Sequence, residues 1–270
     1  MHKSKYIESL QNPLIKKLVL LKEKHRGRKK SGLFVLEGTR EFQMALNSGY
    51  KMYTVLFYSG IVEENRVLQY LDGLAHLPDL VEVSKEVYQR IAYREKTEGI
   101  VAIAESKIHG LEELKFENKN PLILIAESPE KPGNLGAMLR TADAAKLDAV
   151  ILADPKGDLY NPNVIRSSVG CIFTVQIGMA SSKEVIRYLK EKKIGIYAAA
   201  LSASIPYHQV DFTGPSAIAV GTESTGLTAT WLQNADQNII IPMQGEIDSM
   251  NVSVSAAIII FEAKRQRAFK

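Results

Sequence analysis

Polar side chains with potential for chemistry are concentrated in one stretch of this sequence, between two apolar elements. It runs from Ile241 to Ala257 and reads Ile-Pro-Met-Gln-Gly-Glu-Ile-Asp-Ser-Met-Asn-Val-Ser-Val-Ser-Ala-Ala. Strand-like residues lead into it, and a helix of small residues follows Ser249 and Asn251. A helix has one N-cap, so capping occupies only one of these two polar residues. The other then has no structural task, which indicates a ligand site.

A second polar stretch, Pro132-Gly-Asn-Leu-Gly-Ala-Met-Leu-Arg-Thr-Ala, opens a predicted helix. Asn134 stands where an N-cap is expected, and Arg140 shares a helix face with Gly136 four residues earlier. Arg140 is set among Ala, Met and Leu residues, and buried cations need partners. Its guanidinium is therefore expected to point into a cleft. A capped helix with a surface arginine is the alternative interpretation.

A third stretch, Ala217-Ile-Ala-Val-Gly-Thr-Glu-Ser-Thr-Gly-Leu, reads as a buried strand that ends at Gly221. A polar loop with Glu223 and Gly226 follows the strand. Loops at the carboxyl ends of parallel strands are where α/β proteins bind ligands. A tight turn with a solvated glutamate is the simpler alternative.

Other kinds of site are not indicated. The five histidines are scattered without metal-ligand spacing, and the single cysteine, Cys171, cannot form a thiolate cluster. The sequence contains no Gly-x-Ser-x-Gly elbow, and the stretch before Arg140 lacks the Gly-x-Gly-x-x-Gly of a dinucleotide site. We therefore predict no metal.

Size and composition are those of a globular protein. The 270 residues suit two compact domains or one large one, and 46% are hydrophobic and 24% charged. No apolar run is long enough to span a bilayer, and the Lys-rich N-terminus does not resemble a secretory signal. One cysteine allows no intrachain disulfide, so a cytoplasmic location without membrane association is expected.

Positive charge is concentrated at the N-terminus. Residues 1–30 contain ten Lys or Arg and two Glu, whereas the whole chain has a net charge of only +4. The cluster ends in Arg26-Gly-Arg-Lys-Lys-Ser-Gly, which reads as a flexible basic loop. This asymmetry predicts a basic arm that binds a polyanion such as nucleic acid. A solvated helix face is the alternative.

The pattern of apolar runs predicts two α/β domains. An N-terminal domain over residues 1–106 has strands at 33–36, 53–58, 80–83 and 99–104, and a polar linker at 107–120 follows it. From 121 to 270, short apolar runs at 122–126, 149–152, 172–177, 194–200, 217–220 and 238–241 alternate with helices at 134–145, 182–193 and 228–234. This alternation predicts a parallel sheet covered on both faces.

In chain order, the three polar stretches resemble the motifs of the SpoU (TrmH-like) branch of the SPOUT RNA methyltransferases. Asn134 to Ala142 matches Asn-x-Gly-x-x-x-Arg-Thr-Ala, and Gly221 to Gly226 matches Gly-x-Glu-x-x-Gly. Ile241 to Ser253 matches Ile-Pro-Met-x-Gly-x-x-x-Ser-Leu-Asn-Val-Ser, with Met250 in place of the usual Leu. That exchange conserves volume.

The resemblance implies a C-terminal parallel sheet with a deep trefoil knot and a smaller, L30e-like RNA-binding domain before it. It implies that S-adenosylmethionine is bound in the knot, that the protein is a homodimer, and that the product is a 2′-O-methylated ribose. The cofactor-binding positions of the family are occupied here by Gly221, Ile241, Met243, Gly245 and Met250. Ribosomal (23S) RNA is the expected target. Alternatives are tRNA, a base methyl acceptor, and a non-catalytic RNA-binding or ribosome assembly relative.

The family's catalytic positions fall on Asn134, Arg140, Glu223, Ser249 and Asn251. A ribose hydroxyl is a poor nucleophile that must be deprotonated and held in line. Because guanidinium stays cationic, we expect Arg140 to bind phosphate and stabilise the 2′-oxygen, although a role as a phosphate-assisted base remains open. Asn134, Ser249 and Asn251 would orient Arg140 or the ribose, and Glu223 would pair with Arg140 or hold its own loop.

Overall fold

Two units of α/β structure make up the chain, whose computed structural model describes residues 5–93, 98–201, 204–247 and 249–269. The first unit comprises the chain up to 107 together with residues 159–174. The second comprises residues 108–158 and 175–270. Within the described ranges, no helix has the length and apolar character needed to cross a bilayer.

The first unit is built on a five-stranded mixed sheet in the order β1-β4-β3-β5-β2. Strand β5 runs antiparallel to β2 and β3, and the other neighbours are parallel. Its elements are β1 (Lys5–Ile7), α1 (Pro13–Glu23), α2 (His25–Ser31), β2 (Leu33–Glu37), α3 (Thr39–Asn47), β3 (Met52–Phe57), α4 (Glu64–Tyr70), β4 (Asp79–Val83), α5 (Lys85–Ile91) and β5 (Ile100–Glu105), with α7 (Pro162–Ser167) and α8 (Cys171–Thr174) from later in the chain. The four predicted strands are thus confirmed.

Helix α1 begins as its sequence predicts. The Asn12 side chain accepts a hydrogen bond from the Leu14 amide at 2.9 Å, and Pro13 occupies the first helical position. Ile15, Leu18 and Leu21 are almost completely buried in the core beside β2 and α5. This part of the basic N-terminus is therefore a packed helix.

The predicted basic loop at residues 26–32 is wrong, because most of it forms helix α2. Arg28 is 5% exposed, and its Nη1 donates to the carbonyl oxygens of Leu21 at 2.6 Å and Lys22 at 3.1 Å. These bonds cap the last turn of α1 with a cation, where the helix dipole favours positive charge. The helix ends at Gly32, which has a φ of 65°.

The apolar run at 172–177 was predicted to be one strand and is not. Its first residues form α8, and β8 (Ile177–Ala180) follows after a short connection. Phe173 stacks on Phe34 at 5.9 Å between ring centroids, and Tyr160 stacks on the same ring at 4.4 Å. Residues 159–174 therefore complete the aromatic core of the first unit.

The second unit contains a seven-stranded parallel sheet in the order β10-β12-β9-β11-β6-β7-β8. Its elements are β6 (Leu122–Glu127), α6 (Pro132–Ala144), β7 (Ala149–Ala153), β8, α9 (Ser182–Glu191), β9 (Gly195–Ala199), β10 (Ile205–Pro206), β11 (Ser216–Val220), α10 (Ala229–Asn234), β12 (Gln237–Ile240) and α11 (Val252–Gln266), with short 3₁₀ helices at Leu111–Glu113 and Tyr207–Gln209. The predicted parallel sheet is confirmed.

Helices cover both faces of this sheet. On one face, Ile123 and Ile125 pack with Val185 of α9 and Trp231 of α10. Side chains alternate along a strand, so Leu124 points to the other face, where it is also fully buried. Helices α6 and α11 pack against each other, and α11 also packs on β11. Because the strands are buried on both faces, they are apolar throughout, and their positions could be predicted from the apolar runs in the sequence.

Residues 107–120 were predicted as a linker, but residues 108–120 belong to the second unit and include the first 3₁₀ helix. Leu114 is 8% exposed within its core cluster. The His109 ring lies 3.2 Å from the Ile177 carbonyl oxygen, and the Gln176 side chain donates to the Lys115 carbonyl at 2.9 Å.

Candidate active site

Two of the predicted polar residues, from different segments, meet at the carboxylate of a third, Glu223. Asn134 Nδ2 donates to Glu223 Oε1 at 2.9 Å, and Asn251 Nδ2 donates to the same oxygen at 2.6 Å. Asn251 Nδ2 also lies 3.1 Å from Asn134 Oδ1. The network links the starts of α6 and α11 to the loop after β11.

Lys131 completes this network, although it was not among the residues selected from the sequence. Its Nζ pairs with Glu223 Oε2. The hydrogen bonds from Lys131 and then Asn134 are the main causes that lower the pKa of Glu223, aided by the positive charge of Lys131 and by Asn251. Glu223 is therefore an ionised acceptor at neutral pH. Lys131 stands directly before Pro132, which opens α6, and this position in the sequence could have indicated that it belongs to the site.

Helix α6 starts earlier than predicted, which releases Asn134 from capping. Lys131 is the N-cap residue and Pro132 occupies the first turn. Asn134 therefore lies inside the helix, and the prediction that it is the N-cap is wrong. Its amide is used instead to bind Glu223.

Asn251 has two tasks. Its Oδ1 accepts a hydrogen bond from the Ser253 amide at 3.0 Å, which makes it the N-cap of α11. Its Nδ2 is directed to Glu223. From the sequence, one of Ser249 and Asn251 was expected to cap the helix and the other to belong to the ligand site. An asparagine side chain allows both, because it carries an acceptor and two donor hydrogens.

Beside the network lies a cavity of about 420 Å³. Three chain segments line it, around 199–201, 220–227, and 239–243 with 249–250, together with part of α11. Of the predicted residues, the lining includes Gly221, Glu223, Ile241, Met243, Ser249 and Met250. Gly245 is exposed and lies outside the lining. The volume is within the range of about 300–1,000 Å³ that is usual for small-molecule sites.

The loop after β11 is folded too tightly for a side chain at Gly221. A Cβ placed there would lie 2.1 Å from the carbonyl carbon of Gly226. Reciprocal backbone hydrogen bonds between Thr222 and Gly226, at 3.2 and 3.0 Å, close the loop. One of its sides lines the large cavity, and a second cavity of about 110 Å³ lies beside Lys131 and Asn134.

Glu127 anchors the far end of the same loop and was missed from the sequence. It is 3% exposed and accepts hydrogen bonds from Thr228, from the amide at 2.8 Å and from the hydroxyl at 2.7 Å. Ser182 lies 3.5 Å from the same carboxylate and accepts a bond from Trp231 Nε1 at 2.9 Å. A glutamate that ends an apolar strand was the signal, since a buried carboxylate requires partners.

Arg140 does not line the two cavities beside Glu223, contrary to the expectation that its guanidinium points into a cleft. It is exposed, and within the described ranges it makes no hydrogen bond or ion pair. Six helical residues correspond to a rotation of about 600°, so Arg140 lies about 120° around α6 from Asn134. Asn134 faces Glu223, and Arg140 therefore faces elsewhere.

The arrangement is that of a binding and positioning site. It provides a fixed carboxylate, two amides, a lysine and a cavity lined by both backbone and apolar groups. Among the described residues no three His, Cys, Asp or Glu side chains are grouped as metal ligands.

Comparisons with known proteins cover both units. The model of the SpoU rRNA Methylase family matches residues 121–261, and that of an MRM3-like substrate binding domain matches residues 12–102. A 23S rRNA (guanosine(2553)-2′-O)-methyltransferase of Bacillus subtilis (strain 168) is 30% identical over 261 residues, which are 96% of this chain and 99% of that protein.

Two solved structures resemble the whole chain. An RNA 2′-O ribose methyltransferase is 40% identical with a TM-score of 0.82, and the match covers 97% of this chain and 99% of the other. An AdoMet-bound rRNA methyltransferase from Sinorhizobium meliloti is 27% identical with a TM-score of 0.89, over 97% and 98% of the two chains.

Proposed function

Because this chain belongs to the SpoU rRNA Methylase family, we propose that it is an enzyme that transfers a methyl group from S-adenosylmethionine to a ribose 2′-oxygen of RNA. The observation that carries this function is the convergence of all three polar segments on Glu223 beside one cavity. A non-catalytic relative would have no need to keep this network intact.

The cavity suits the cofactor. S-adenosylmethionine supplies an electrophilic methyl group on a sulfonium sulfur, and the protein must bind and orient it. Apolar side chains of Ile241, Met243 and Met250 provide a surface for its adenine ring and the carbon chain of its methionine part. The backbone of the loop from Gly221 to Leu227 and the Ser249 hydroxyl offer polar partners. Gly245 would act through the conformation of its loop, since it lies outside the lining.

Glu223 has a positioning role in this proposal. A carboxylate with a lowered pKa is a weak general base, so deprotonation of the ribose is not assigned to it. It holds Lys131, Asn134 and Asn251 together and thereby fixes the loop that borders the cofactor cavity. Asn134 and Asn251 then lie beside the place where the ribose must enter.

Arg140 would act in the active site of the other subunit of a homodimer. Its side chain is exposed and unpaired in the described part of its own chain, which suits a residue that acts across an interface. Helix α11, which packs on α6, exposes Val254 and Phe261 on one side, at 48% and 43%. Apolar residues seven positions apart form a stripe that a second copy would cover. The partner subunit's Arg140 then binds a phosphate and stabilises the 2′-oxygen.

The trefoil knot implied by the family is part of the proposal. The residues that would form it come from the three segments that line the cofactor cavity.

The N-terminal unit would bind the RNA as an L30e-like domain. The match to a substrate binding domain at 12–102 supports this role. Helices α1 and α2 expose Lys16, Lys17, Lys29 and Lys30, which would contact phosphates from a rigid surface. A cytoplasmic location follows from the proposed ribosomal substrate.

The target is 23S rRNA, because relatives that match nearly the full chain act on that molecule by name. The tRNA alternative is less favoured. Incubation of the protein with a 23S rRNA transcript and labelled cofactor tests the proposal directly. Mass spectrometry of the nucleosides should find the methyl group on ribose. A methyl that stays with the base after glycosidic cleavage, or no transfer at all, would contradict it.

A further inference from the structure

One face of α9 carries a row of cations that the proposed site does not use. Lys183, Arg187 and Lys190 are exposed and spaced at i, i+4 and i+7, so they share a single face of the helix. Like charges at this spacing destabilise an isolated helix. The exposed face of an amphipathic helix is ordinarily polar, but the stability of α9 does not require three cations in one row.

These cations border a groove between α9 and α10, with a volume of about 360 Å³. Ile186 forms part of its floor, and Thr230 and Asn234 line it from α10. Lys190 Nζ donates to Asn234 Oδ1 at 2.7 Å, which holds the ammonium group at the groove. The groove thus combines charged side chains with a hydroxyl and an amide, which are the groups that contact phosphate oxygens.

Nearby acids neutralise only part of this charge. Glu184 is used in the capping box of α9, where it accepts hydrogen bonds from the Ser181 amide at 2.9 Å and hydroxyl at 2.6 Å. Its charge also faces Arg187. Glu191 lines the far end of the groove, where Lys192 and Lys193 follow it in the sequence.

The groove starts at the same edge of the sheet as the candidate active site. Lys131, Lys156 and Lys183 follow the neighbouring strands β6, β7 and β8 at their carboxyl ends. Lys131 pairs with Glu223 and Lys156 with Glu130, the latter at 2.9 Å. Adjacent strands are about 4.8 Å apart. Cations thus continue from the network to the groove along one edge.

The opposite face of the sheet differs in character. Helix α11 exposes Val254 and Phe261 there, whereas the one large apolar residue that lines the groove, Ile186, is 6% exposed. Protein interfaces depend on exposed apolar or aromatic anchors, and a phosphate backbone does not. The groove therefore favours nucleic acid over a protein partner.

We propose that the α9–α10 groove binds the phosphate backbone of the RNA next to its methylated nucleotide, in addition to the basic surface of α1 and α2. This rests on the proposed function, since it assumes an RNA substrate at the carboxyl edge of the sheet. Phosphates contact Lys183, Arg187 and Lys190, and Thr230 and Asn234 donate hydrogen bonds to them.

The test is the variant Lys183→Gln/Arg187→Gln/Lys190→Gln, which keeps good helix formers on α9. Its affinity for a 23S rRNA transcript is measured between 50 and 200 mM salt. Each lost phosphate contact lowers the slope of log affinity against log salt by about 0.7, so three should lower it by about 2. The ratio of the wild-type affinity to the affinity of the groove variant should therefore fall roughly 16-fold between 50 and 200 mM salt.

The matched control removes three exposed lysines before β6 and β7, at the other edge of the sheet, in Lys115→Gln/Lys119→Gln/Lys146→Gln. It should leave the slope near the wild-type value. Cofactor affinity and thermal midpoint should be unchanged in both variants, which separates a binding effect from a folding effect.

An unchanged slope in the groove variant, while wild-type protein methylates the transcript, would overturn the groove assignment and leave the proposed function standing. So would equal losses in groove and control variants. If the groove variant lost binding to vesicles of anionic phospholipid while its salt slope for RNA binding stayed at the wild-type value, the groove would be a membrane-binding surface instead. Absence of any methyl transfer by wild-type protein is the separate result that removes the proposed function.

Discussion

Asn251 Nδ2 donates to Glu223 Oε1 at 2.6 Å, while the oxygen of the same amide caps α11. The helix therefore cannot start elsewhere without moving the donor that reaches Glu223. Asn134 binds the same carboxylate oxygen from α6. A single ionised group thus ties the starts of two helices to one loop.

Replacing that group should weaken catalysis without unfolding the protein. In Glu223→Gln the carboxylate charge is lost, one acceptor remains, and Lys131 has no counterion. We expect kcat/KM to fall about tenfold, the scale of a lost charge-assisted hydrogen bond, and cofactor affinity to weaken. Steady-state kinetics and calorimetry measure the two effects.

The matched control is Glu130→Gln, which removes an exposed carboxylate paired with Lys156 at the same edge. It should be close to wild type. Equal activity of the Glu223 and Glu130 variants would leave Glu223 without the positioning role proposed for it.

Arg140 should act across a dimer interface. Arg140→Ala is expected to lower kcat by about 100-fold or more while cofactor affinity stays within about twofold, because the loss concerns the reacting oxygen. Mixing it with Glu223→Gln protomers should restore activity if each active site takes Arg140 from one subunit and Glu223 from the other. In an equal mixture that pairs at random, about half of the dimers contain one protomer of each variant, and one of the two sites in such a dimer is intact. About a quarter of all sites are therefore intact.

The measurement is methyl transfer after mixing, unfolding and refolding the two variants together. No recovery above the sum of the separate variants would place Arg140 and Glu223 of one subunit in the same site. Near-normal turnover of Arg140→Ala alone would remove Arg140 from the mechanism.

The basic surface of the N-terminal unit should set much of the salt dependence of RNA binding. Deleting residues 1–30 would also remove Ile15, Leu18 and Leu21 from the core, so neutralisation is the cleaner change. Lys16→Gln/Lys17→Gln/Lys29→Gln/Lys30→Gln should lower the salt slope by about 3. Filter binding from 50 to 300 mM salt measures it, and an unchanged slope would mean that these lysines only solubilise the surface.

The N-terminal unit should not fold without residues 159–174. Phe34 is 0% exposed, and Tyr160 and Phe173 both stack on it. Losing a large buried aromatic costs about 3–5 kcal/mol, comparable with the stability of a domain. A fragment of residues 1–107 should lack a cooperative near-ultraviolet melt, and joining 159–174 to it by a Gly/Ser linker should restore one. A cooperative melt of the short fragment would show that this segment is dispensable.

Glu223 should stay charged throughout the neutral range. Its pKa lies below the ordinary 4.5, mainly through the hydrogen bond from Lys131. Because the pKa of Glu223 is lower in the folded protein, its ionised form stabilises the network at every pH above the ordinary pKa. This stabilisation is lost as the pH falls through the lowered pKa. Carbon NMR titration should give a midpoint below 4.5 that rises in Lys131→Met; an unshifted midpoint in the variant would show that the ion pair does not hold the charge.

The sequence by itself determined most of the strands and the order of the site segments. Runs such as Leu122–Glu127 are apolar throughout because both faces of the strand are buried, and this leaves a local signal. Polar residues that interrupt such runs, as at Glu223 and Asn251, mark the carboxyl edge of the sheet. Fold class and three of the four network residues, Asn134, Glu223 and Asn251, could therefore be read without coordinates, whereas Lys131 was missed.

Only the tertiary structure decided which groups pair and which way they face. Arg140 has apolar neighbours in the sequence yet is exposed, because helix rotation and not composition sets its direction. Arg28 is buried because two carbonyl oxygens at the end of α1 accept its hydrogen bonds. The Lys131–Glu223 pair joins residues 92 positions apart. Such contacts depend on how elements pack in space, and no local pattern encodes that.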